Sequence, residues 1–188
     1  MLKIVQSPNS ILTEKAKPVQ QVDKTIRDLI KQMEEALDHA RDPEGIGLAA
    51  PQVGKSLQIF IIRQTPRSPL SVFINPSIIE LFDDFEKEQN KKNNDEEKKD
   101  SVQLEGCLSL YSVWGAVNRR YGVILKYLDE NGKEHKKKFE GFIATIIQHE
   151  YDHLQGTLFP KRVLEQNNKL YRSSKNEKGE TEFDEIEL

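Results

Sequence analysis

Cysteine is almost absent from this sequence, because Cys107 is the only one among 188 residues. A single thiol cannot form a disulfide within one chain, which favours a reducing compartment. Residues 1–5 also lack the long apolar core and the small-residue cleavage site of a secretory signal peptide. Together these absences predict a cytoplasmic protein.

Long hydrophobic runs and a surplus of charge of one sign are missing as well. No apolar stretch approaches the roughly 18–20 residues that would span a membrane, so we expect no membrane partner. The net charge is only −3 and gives no electrostatic reason to expect nucleic acid as a partner. The apolar fraction of 36% and the length of 188 residues suit one soluble domain with a continuous core.

A regular pattern of predicted elements fills most of the chain. Apolar residues from Ile26 to Ala40 recur with helical spacing, and Asp23 is placed to cap that helix. Asn131-Gly132 is a hairpin turn signal. Several β-rich runs are predicted strands: residues 57–63, 71–75, 77–82, 113–117, 121–128 and 133–139.

Two segments depart from this pattern. Residues 83–100 consist almost entirely of charged and amide side chains, which predicts a mobile insertion between strands. Residues 166–188 are polar without clear periodicity, which predicts a loosely attached tail. We therefore expect the main domain at 1–165, with 83–100 as its insertion, and a polar C-terminal tail at 166–188.

A helix predicted over residues 141–155 contains the sequence Q-H-E-Y-D-H, and Gly156 is placed to end it. Residues four apart lie on one helical face, so His149 and His153 can reach one metal ion. Glu150 projects elsewhere, near the metal but free to move protons, as in H-E-x-x-H hydrolases. The helix is apolar on most sides, which predicts a buried central helix wrapped by strands.

A catalytic metal site with three protein ligands needs one more donor. Cys107, His39, His135 and the carboxylates are the candidates, and the solvated surroundings of both histidines favour Cys107. Such a site leaves a position for water, whose pKa the metal would lower from about 15.7 toward 7. Asp152 could accept the ring N–H of a liganding histidine, or form a plain salt bridge.

A less specific interpretation also exists for these residues. Two helical histidines can be ordinary surface residues, and a lone cysteine is most often a buried, inert thiol. A closed structural zinc site usually has four, commonly Cys-rich, ligands. With only Cys107 available, an open catalytic site is favoured over a structural one.

The segment at residues 45–54 is apolar and rich in small residues. It lacks the G-K-[ST] ending of a phosphate loop. A buried Gln52 amide would need a hydrogen-bond partner, so this side chain is either a structural pin or a donor that faces a ligand. The segment by itself favours the pin.

Three motifs, in this order, resemble those of the peptide deformylase family. G-I-G-L-A-A-P-Q at 45–52 is similar to the family's G-x-G-x-A-A-x-Q. E-G-C-L-S at 105–109 is similar to E-G-C-x-S, and Q-H-E-Y-D-H at 148–153 to Q-H-E-x-D-H. A single motif would be weak, but three in order are highly specific, and the resemblance extends to about Arg162.

The resemblance implies a single α+β domain whose antiparallel strands pack around the central metal-binding helix. It implies a metal-dependent hydrolase that removes the N-formyl group from the N-terminal methionine of newly synthesised proteins and releases formate. Its substrates would be N-formylmethionyl nascent polypeptides, on which it would act at the ribosome.

The matching residues also carry implied roles. Cys107, His149 and His153 would hold one divalent metal ion, Fe²⁺ in the native state, with Zn²⁺, Ni²⁺ or Co²⁺ able to replace it. Glu150 would be the general base and acid.

Oxyanion and substrate contacts follow from the same resemblance. Gln52, through its side chain, and Leu108, through its backbone N–H, would bind the developing oxyanion, which reverses the interpretation of Gln52 as a pin. Gly47 would align the substrate backbone. The methionine pocket would be bordered by Ile46, Phe142, Thr145 and Ile146.

One departure from the family pattern affects the pocket rim. The family commonly has a proline soon after its second motif, whereas Leu110-Tyr111-Ser112-Val113-Trp114 follows here. The sequence therefore does not determine how Tyr111 and Trp114 affect the substrate preference beyond methionine.

Two other functions compete with deformylation. A general metalloprotease would usually take its third ligand downstream of the helix, and Cys107 lies upstream. A catalytically silent binding module of the same fold would be expected to lack a motif residue, and none is missing.

Overall fold

The computed structural model describes residues 2–40, 45–83 and 104–187. The predicted mobile insertion at 83–100 lies outside these residues, apart from Asp83. No helix in the described ranges is long and apolar enough to cross a membrane.

Two antiparallel sheets form the framework of the described chain. The five-stranded sheet has the order β1-β2-β3-β6-β7, with β1 at Gly47–Ala49, β2 at Ile59–Ile62, β3 at Ser71–Phe82, β6 at Gly122–Leu128 and β7 at Glu134–Glu140. The four-stranded sheet has the order β4-β5-β8-β9, with β4 at Leu104–Cys107, β5 at Leu110–Ala116, β8 at Leu170–Lys175 and β9 at Thr181–Glu185. The predicted α+β architecture is confirmed.

The helices follow the predicted pattern closely. Helix α1 is Lys24–His39, and the Asp23 side chain accepts a hydrogen bond from the Ile26 N–H at its start. Helix α2 is Phe142–Leu154, and Gly156 follows it with φ of 69°. Short helices occupy Ser10–Leu12 and Ala50–Val53 (both 3₁₀) and Phe159–Glu165 (α3).

The five-stranded sheet is covered on both faces, which explains its apolar strands. Ile59 and Ile61 of β2 pack in the cluster that contains the apolar stripe of α1. Phe60 and Ile62, which alternate with them, pack in the cluster that contains Ala144, Ile146 and Ile147 of α2. Alternate side chains of a strand face opposite sides of a sheet, so α1 and α2 lie on opposite faces. The prediction of a buried central helix is confirmed.

The structure departs from the sequence-based prediction along β3. Residues 71–75 and 77–82 were expected as two strands broken at Asn75-Pro76, but Ser71–Phe82 is one strand with a shifted register between Ile74 and Ser77. Asn75 has φ of 48°, and its side chain bonds both Val19 N and Val19 O, at 2.8 and 2.7 Å. These bonds stabilise the irregularity, so the strand continues past the proline.

The C-terminal tail is also more ordered than its composition predicted. Strands β8 and β9 form a hairpin that extends the second sheet, with Trp114 of β5 opposite Tyr171 of β8. The expectation of loose attachment is therefore wrong for these residues. Backbone pairing needs no hydrophobic periodicity, and periodicity was the signal that the tail lacked.

Candidate metal centre and active site

A cavity of about 570 Å³ is bordered by β1, β4, β5 and α2. The structure brings all the predicted site residues to this cavity except His153, which lies buried just beyond its wall. The predicted residues in the wall are Ile46, Gly47, Gln52, Cys107, Leu108, Phe142, Thr145, Ile146, His149 and Glu150.

Three potential metal ligands converge at one side of the cavity. The ligand atoms of Cys107, His149 and His153 all lie within 4.8 Å of one another. Cys107 Sγ is 3.2 Å from His153 Nε2. One thiol and two imidazoles, all mostly shielded from solvent, suit a divalent transition metal that keeps one position open. The residues present therefore fit the metal that the sequence predicted.

The other histidines do not reach this group. His39 is exposed at the end of α1, as expected. His135 was expected to face solvent, but it pairs with Asp129 at 2.7 Å and stacks on Tyr127.

His149 is oriented by a carboxylate from the second motif. Its Nδ1 lies 3.0 Å from Glu105 Oε2, which leaves Nε2 as the nitrogen available to a metal. A carboxylate on the far nitrogen fixes the tautomer and the ring orientation of a metal-binding histidine.

Behind Glu105 lies a chain of charged side chains that sequence reasoning missed. Arg119 donates two hydrogen bonds to Glu105, at 2.8 and 2.9 Å, and a third to Asp152 at 2.6 Å. Asp152 also accepts from Arg162 at 2.8 Å. Of the two alternatives for Asp152, the salt bridge is therefore the one observed, and Glu105 makes the bond to histidine. No sequence spacing links these residues, which come from four separate segments.

The charge network sets the ionisation of Glu105. Burial alone would raise its pKa, but hydrogen bonds from His149 and Arg119 lower the pKa of Glu105 to about 2. Glu105 is therefore an anion at neutral pH, which is the state that accepts a hydrogen bond from His149.

The pKa values of His149 and His153 are shifted in opposite directions. Burial lowers the pKa of His149, but hydrogen bonds to Cys107 and Glu105 raise it well above its ordinary value. Burial lowers the pKa of His153 well below its ordinary value, which keeps that ring neutral. Imidazole binds a metal in its neutral form, so a metal held by His149 would require this ring to lose its added proton.

The environment of Glu150 changes the pKa of its carboxyl group. Burial raises the pKa of Glu150 to about 7. Its Oε2 atom is buried and has no hydrogen-bond partner among the described residues. A carboxyl group that titrates near neutral pH can both accept and donate a proton during a reaction.

Gln52 makes a structural contact with its carbonyl oxygen and also lines the cavity. Its Oε1 accepts a hydrogen bond from Ala49 N at 2.8 Å. Its Nε2 lies 3.4 Å from Cys107 Sγ, at the wall of the cavity. The carbonyl thus pins the chain, and the pinned amide directs its N–H groups toward the metal ligands.

Gly47 allows β1 to approach α2. A Cβ atom at this position would collide with the Glu150 carboxylate. β1 is also at one edge of its sheet among the described strands, so its outer backbone groups can meet an extended peptide.

Converging thiol and imidazole donors, a buried carboxyl group beside them and an adjoining cavity define a metal-dependent hydrolase. The chain belongs to the polypeptide deformylase family, whose model matches residues 1–169. It is an enzyme that removes the N-formyl group from the N-terminal methionine of newly synthesised proteins and releases formate. Its substrates are N-formylmethionyl peptides.

Relatives of known name support this assignment. A peptide deformylase of Borreliella burgdorferi is 38% identical over 179 residues, which cover 95% of this chain and 98% of the relative. The crystal structure of a deformylase from Synechococcus elongatus in complex with actinonin has 36% identity and a TM-score of 0.72, and the match covers 88% of this chain and 82% of that one. A deformylase from Acinetobacter baumannii bound to Met-Ala-Ser has 31% identity and a TM-score of 0.69, over 86% and 98% of the two chains. These matches favour the deformylase hypothesis over a general protease or a silent binding module.

Proposed function

We propose that Glu150 is the general base and acid of deformylation. The carrying observation is its buried carboxyl group, whose Oε2 has no hydrogen-bond partner among the described residues and which shares the cavity wall with Cys107 and His149. With a pKa raised to about 7 by burial, Glu150 can take a proton from the attacking water. It can then deliver that proton to the amine nitrogen of methionine as the C–N bond to the formyl group breaks.

We propose that Cys107, His149 and His153 hold the metal, which is Fe²⁺ in the native state. When bound, this ion supplies Lewis acidity, which polarises a carbonyl and lowers the pKa of water. Zn²⁺, Ni²⁺ or Co²⁺ could take the same site, because imidazole and thiolate bind all of these metals. Glu105 keeps the His149 ring in the orientation that binding needs.

We propose that Gln52 and Leu108 stabilise the charge that develops on the formyl oxygen. Both residues lie in the cavity wall beside Cys107. The pinned Gln52 amide and the Leu108 backbone N–H would donate to this oxygen, and donors fixed in advance need no reorganisation as charge appears.

The remaining site residues are proposed to bind the substrate. Gly47 would align the peptide backbone at the open edge of β1. A Met-Ala-Ser complex of the Acinetobacter baumannii relative supports binding of a peptide that begins with methionine. Ile46, Phe142, Thr145 and Ile146 would border its methionine side chain.

The cellular setting is part of the same proposal. Formylated N-termini arise during translation, so we place the enzyme in the cytoplasm, acting on nascent chains at the ribosome. We propose residues 1–165 as the catalytic domain, with the charged 83–100 segment as an insertion and 166–188 as a C-terminal addition.

Formate release from a formyl-Met peptide tests the assigned mechanism. Protein purified anaerobically with Fe²⁺ should release formate, and Glu150→Gln should lower kcat about 10²- to 10⁴-fold, the usual contribution of general acid–base catalysis. Glu134→Gln changes an exposed glutamate of β7 and serves as the matched control. Near wild-type kcat for Glu150→Gln, with its metal content unchanged, would contradict the role of Glu150.

A further inference from the structure

We propose that Trp114 determines substrate specificity beyond methionine. Its ring would favour apolar or aromatic side chains on the two residues that follow the methionine, and the β8–β9 hairpin would position this ring. The proposal rests on the substrate binding proposed above, because it places a formylmethionyl peptide in the cavity.

Trp114 lies beside the strand that leads to the metal ligands. It belongs to β5, pairs with Gly106 of β4 and lines the cavity. A Cβ atom added at Gly106 would be only 2.8 Å from Cζ3 of the Trp114 ring. The indole thus covers the glycine that directly precedes Cys107, and so forms the cavity wall next to the reacting groups.

The C-terminal hairpin fixes this ring from the side opposite Gly106. The indole Nε1 donates to Ser173 Oγ at 3.1 Å. The Phe183 ring meets the indole edge-on, with centroids 5.9 Å apart and planes at 86°. Ser173 of β8 and Phe183 of β9 are register partners, so both contacts come from one pair of facing residues. This hairpin lies beyond residues 1–169, the part that the family model matches.

The surroundings of Trp114 in the cavity predict which side chains it would favour. Leu104, Val117 and Phe142 contribute apolar wall, and Phe142 is 46% exposed at the rim. The charged wall residues Glu105 and Arg119 are paired with each other. Trp114 pairs with Gly106, the residue before Cys107, and an extended peptide advances about 3.3 Å per residue. We therefore expect one of the two residues after the methionine to meet the wall around Trp114. Aromatic contacts of this kind favour a matching ring by about two- to tenfold.

Matched formyl peptides measure this preference directly. We would determine kcat/KM for formyl-Met-X-Ser and for formyl-Met-Ala-X, with X as Phe, Leu, Gly or Asp. The wild type should prefer Phe and Leu over Gly and Asp at one of these positions. Trp114→Ala should reduce the Phe-to-Gly ratio about two- to tenfold, mainly through KM. Leu164→Ala, which removes a 46% exposed side chain of α3 outside the cavity wall, should leave the ratio unchanged.

A separate set of variants tests whether the β8–β9 hairpin positions the Trp114 ring. Trp114→Phe and Ser173→Ala each remove the indole–hydroxyl hydrogen bond and should lower the ratio by the same smaller factor. The double variant should lower it no further. Additive effects of the two changes would contradict positioning through Trp114. These conservative variants also keep the proposal testable if Trp114→Ala does not fold.

Fluorescence gives a readout that activity does not. Trp114 is the only tryptophan of the chain, so its emission reports this site alone. Met-Phe-Ser should shift the emission more than Met-Ala-Ser at saturation, and Phe183→Ala should lower the anisotropy of the free enzyme. No emission change with either peptide, or equal kcat/KM for every X in the wild type, would overturn the proposal. Absence of formate release from every peptide would instead overturn the proposed function.

Discussion

Gln52 makes a contact within the fold and, in the function proposed above, also stabilises charge during the reaction. Its carbonyl accepts the Ala49 N–H, and its amide nitrogen lies 3.4 Å from Cys107 Sγ. Because the carbonyl is already engaged, the amide cannot rotate without breaking that bond. The donor is therefore fixed before a substrate arrives, which is the condition for effective oxyanion stabilisation.

Replacement of Gln52 should lower kcat strongly and should lower the stability of the fold only modestly. Gln52→Leu should reduce kcat about 10²- to 10³-fold, the usual effect of removing one oxyanion donor. Gln58→Leu is the control, because Gln58 is a half-buried glutamine outside the cavity that bonds Ala16 O at 3.2 Å. Steady-state kinetics and thermal unfolding would separate the two effects. A Gln52→Leu enzyme with near wild-type kcat would leave only the pinning role.

At the scale of elements, the loop between β5 and β6 connects the two halves of the metal centre. Arg119 in this loop bonds Glu105 of β4 and Asp152 of α2. Asp152 is buried and the Glu105 side chain is only 9% exposed, and burial of a carboxylate is costly unless it is paired. The network therefore fixes the position of the strand that carries Cys107 relative to the helix that carries both histidines.

Arg119→Met should destabilise the fold by about 1–3 kcal/mol, since it removes three hydrogen bonds to largely shielded carboxylates, although Glu105 keeps His149 and Asp152 keeps Arg162. Its metal affinity should fall about 10- to 100-fold, as is typical when a group supporting a metal ligand is lost. Arg120→Met is the matched control, because the adjacent Arg120 is 58% exposed in its ion pair with Asp83 and should cost at most about 1 kcal/mol. Urea unfolding and metal titration measure both quantities. Equal losses of stability and metal affinity in the two variants would contradict the structural role of the Arg119 network.

At the scale of the whole molecule, the proposed metal ligands come from both sheet layers. Cys107 ends β4 of the four-stranded sheet, whereas His149 and His153 lie on α2, which packs against the five-stranded sheet. A ligand that binds only the folded protein stabilises it by about 4 kcal/mol at a thousandfold excess over Kd. A bound metal ion should therefore raise the free energy of unfolding of the whole protein, because its proposed ligands come from two separate parts of the fold.

Removal of the metal by a chelator should abolish formate release and lower the melting temperature. Anaerobic addition of Fe²⁺ should restore both, while Zn²⁺, Ni²⁺ and Co²⁺ test which other ions the site accepts. Cys107→Ser should bind metal weakly and should show little further change in melting temperature with chelator. Full activity in protein shown by elemental analysis to be metal-free would refute the metal site.

Local signals in the sequence determined the helices and most of the strands. Asp23 before a run with helical spacing predicted the start of α1, and Gly156 predicted the end of α2, because caps and periodicity act over a few residues. The spacing of His149 and His153 predicted that they share a helical face, since that geometry is internal to one helix. The three motifs together predicted the family, which the comparisons confirm.

Only the tertiary structure decided how distant segments meet. One network joins Glu105, Arg119, His149, Asp152 and Arg162. Its longest contact, from Glu105 to His149, spans 44 positions, and no local spacing records such contacts. Asn75 continues β3 because its side chain bonds Val19, 56 residues away. The polar tail pairs with β5 through backbone groups that every residue carries. Local patterns fix helices and turns, whereas charge networks and sheet edges depend on which surfaces the whole chain brings together.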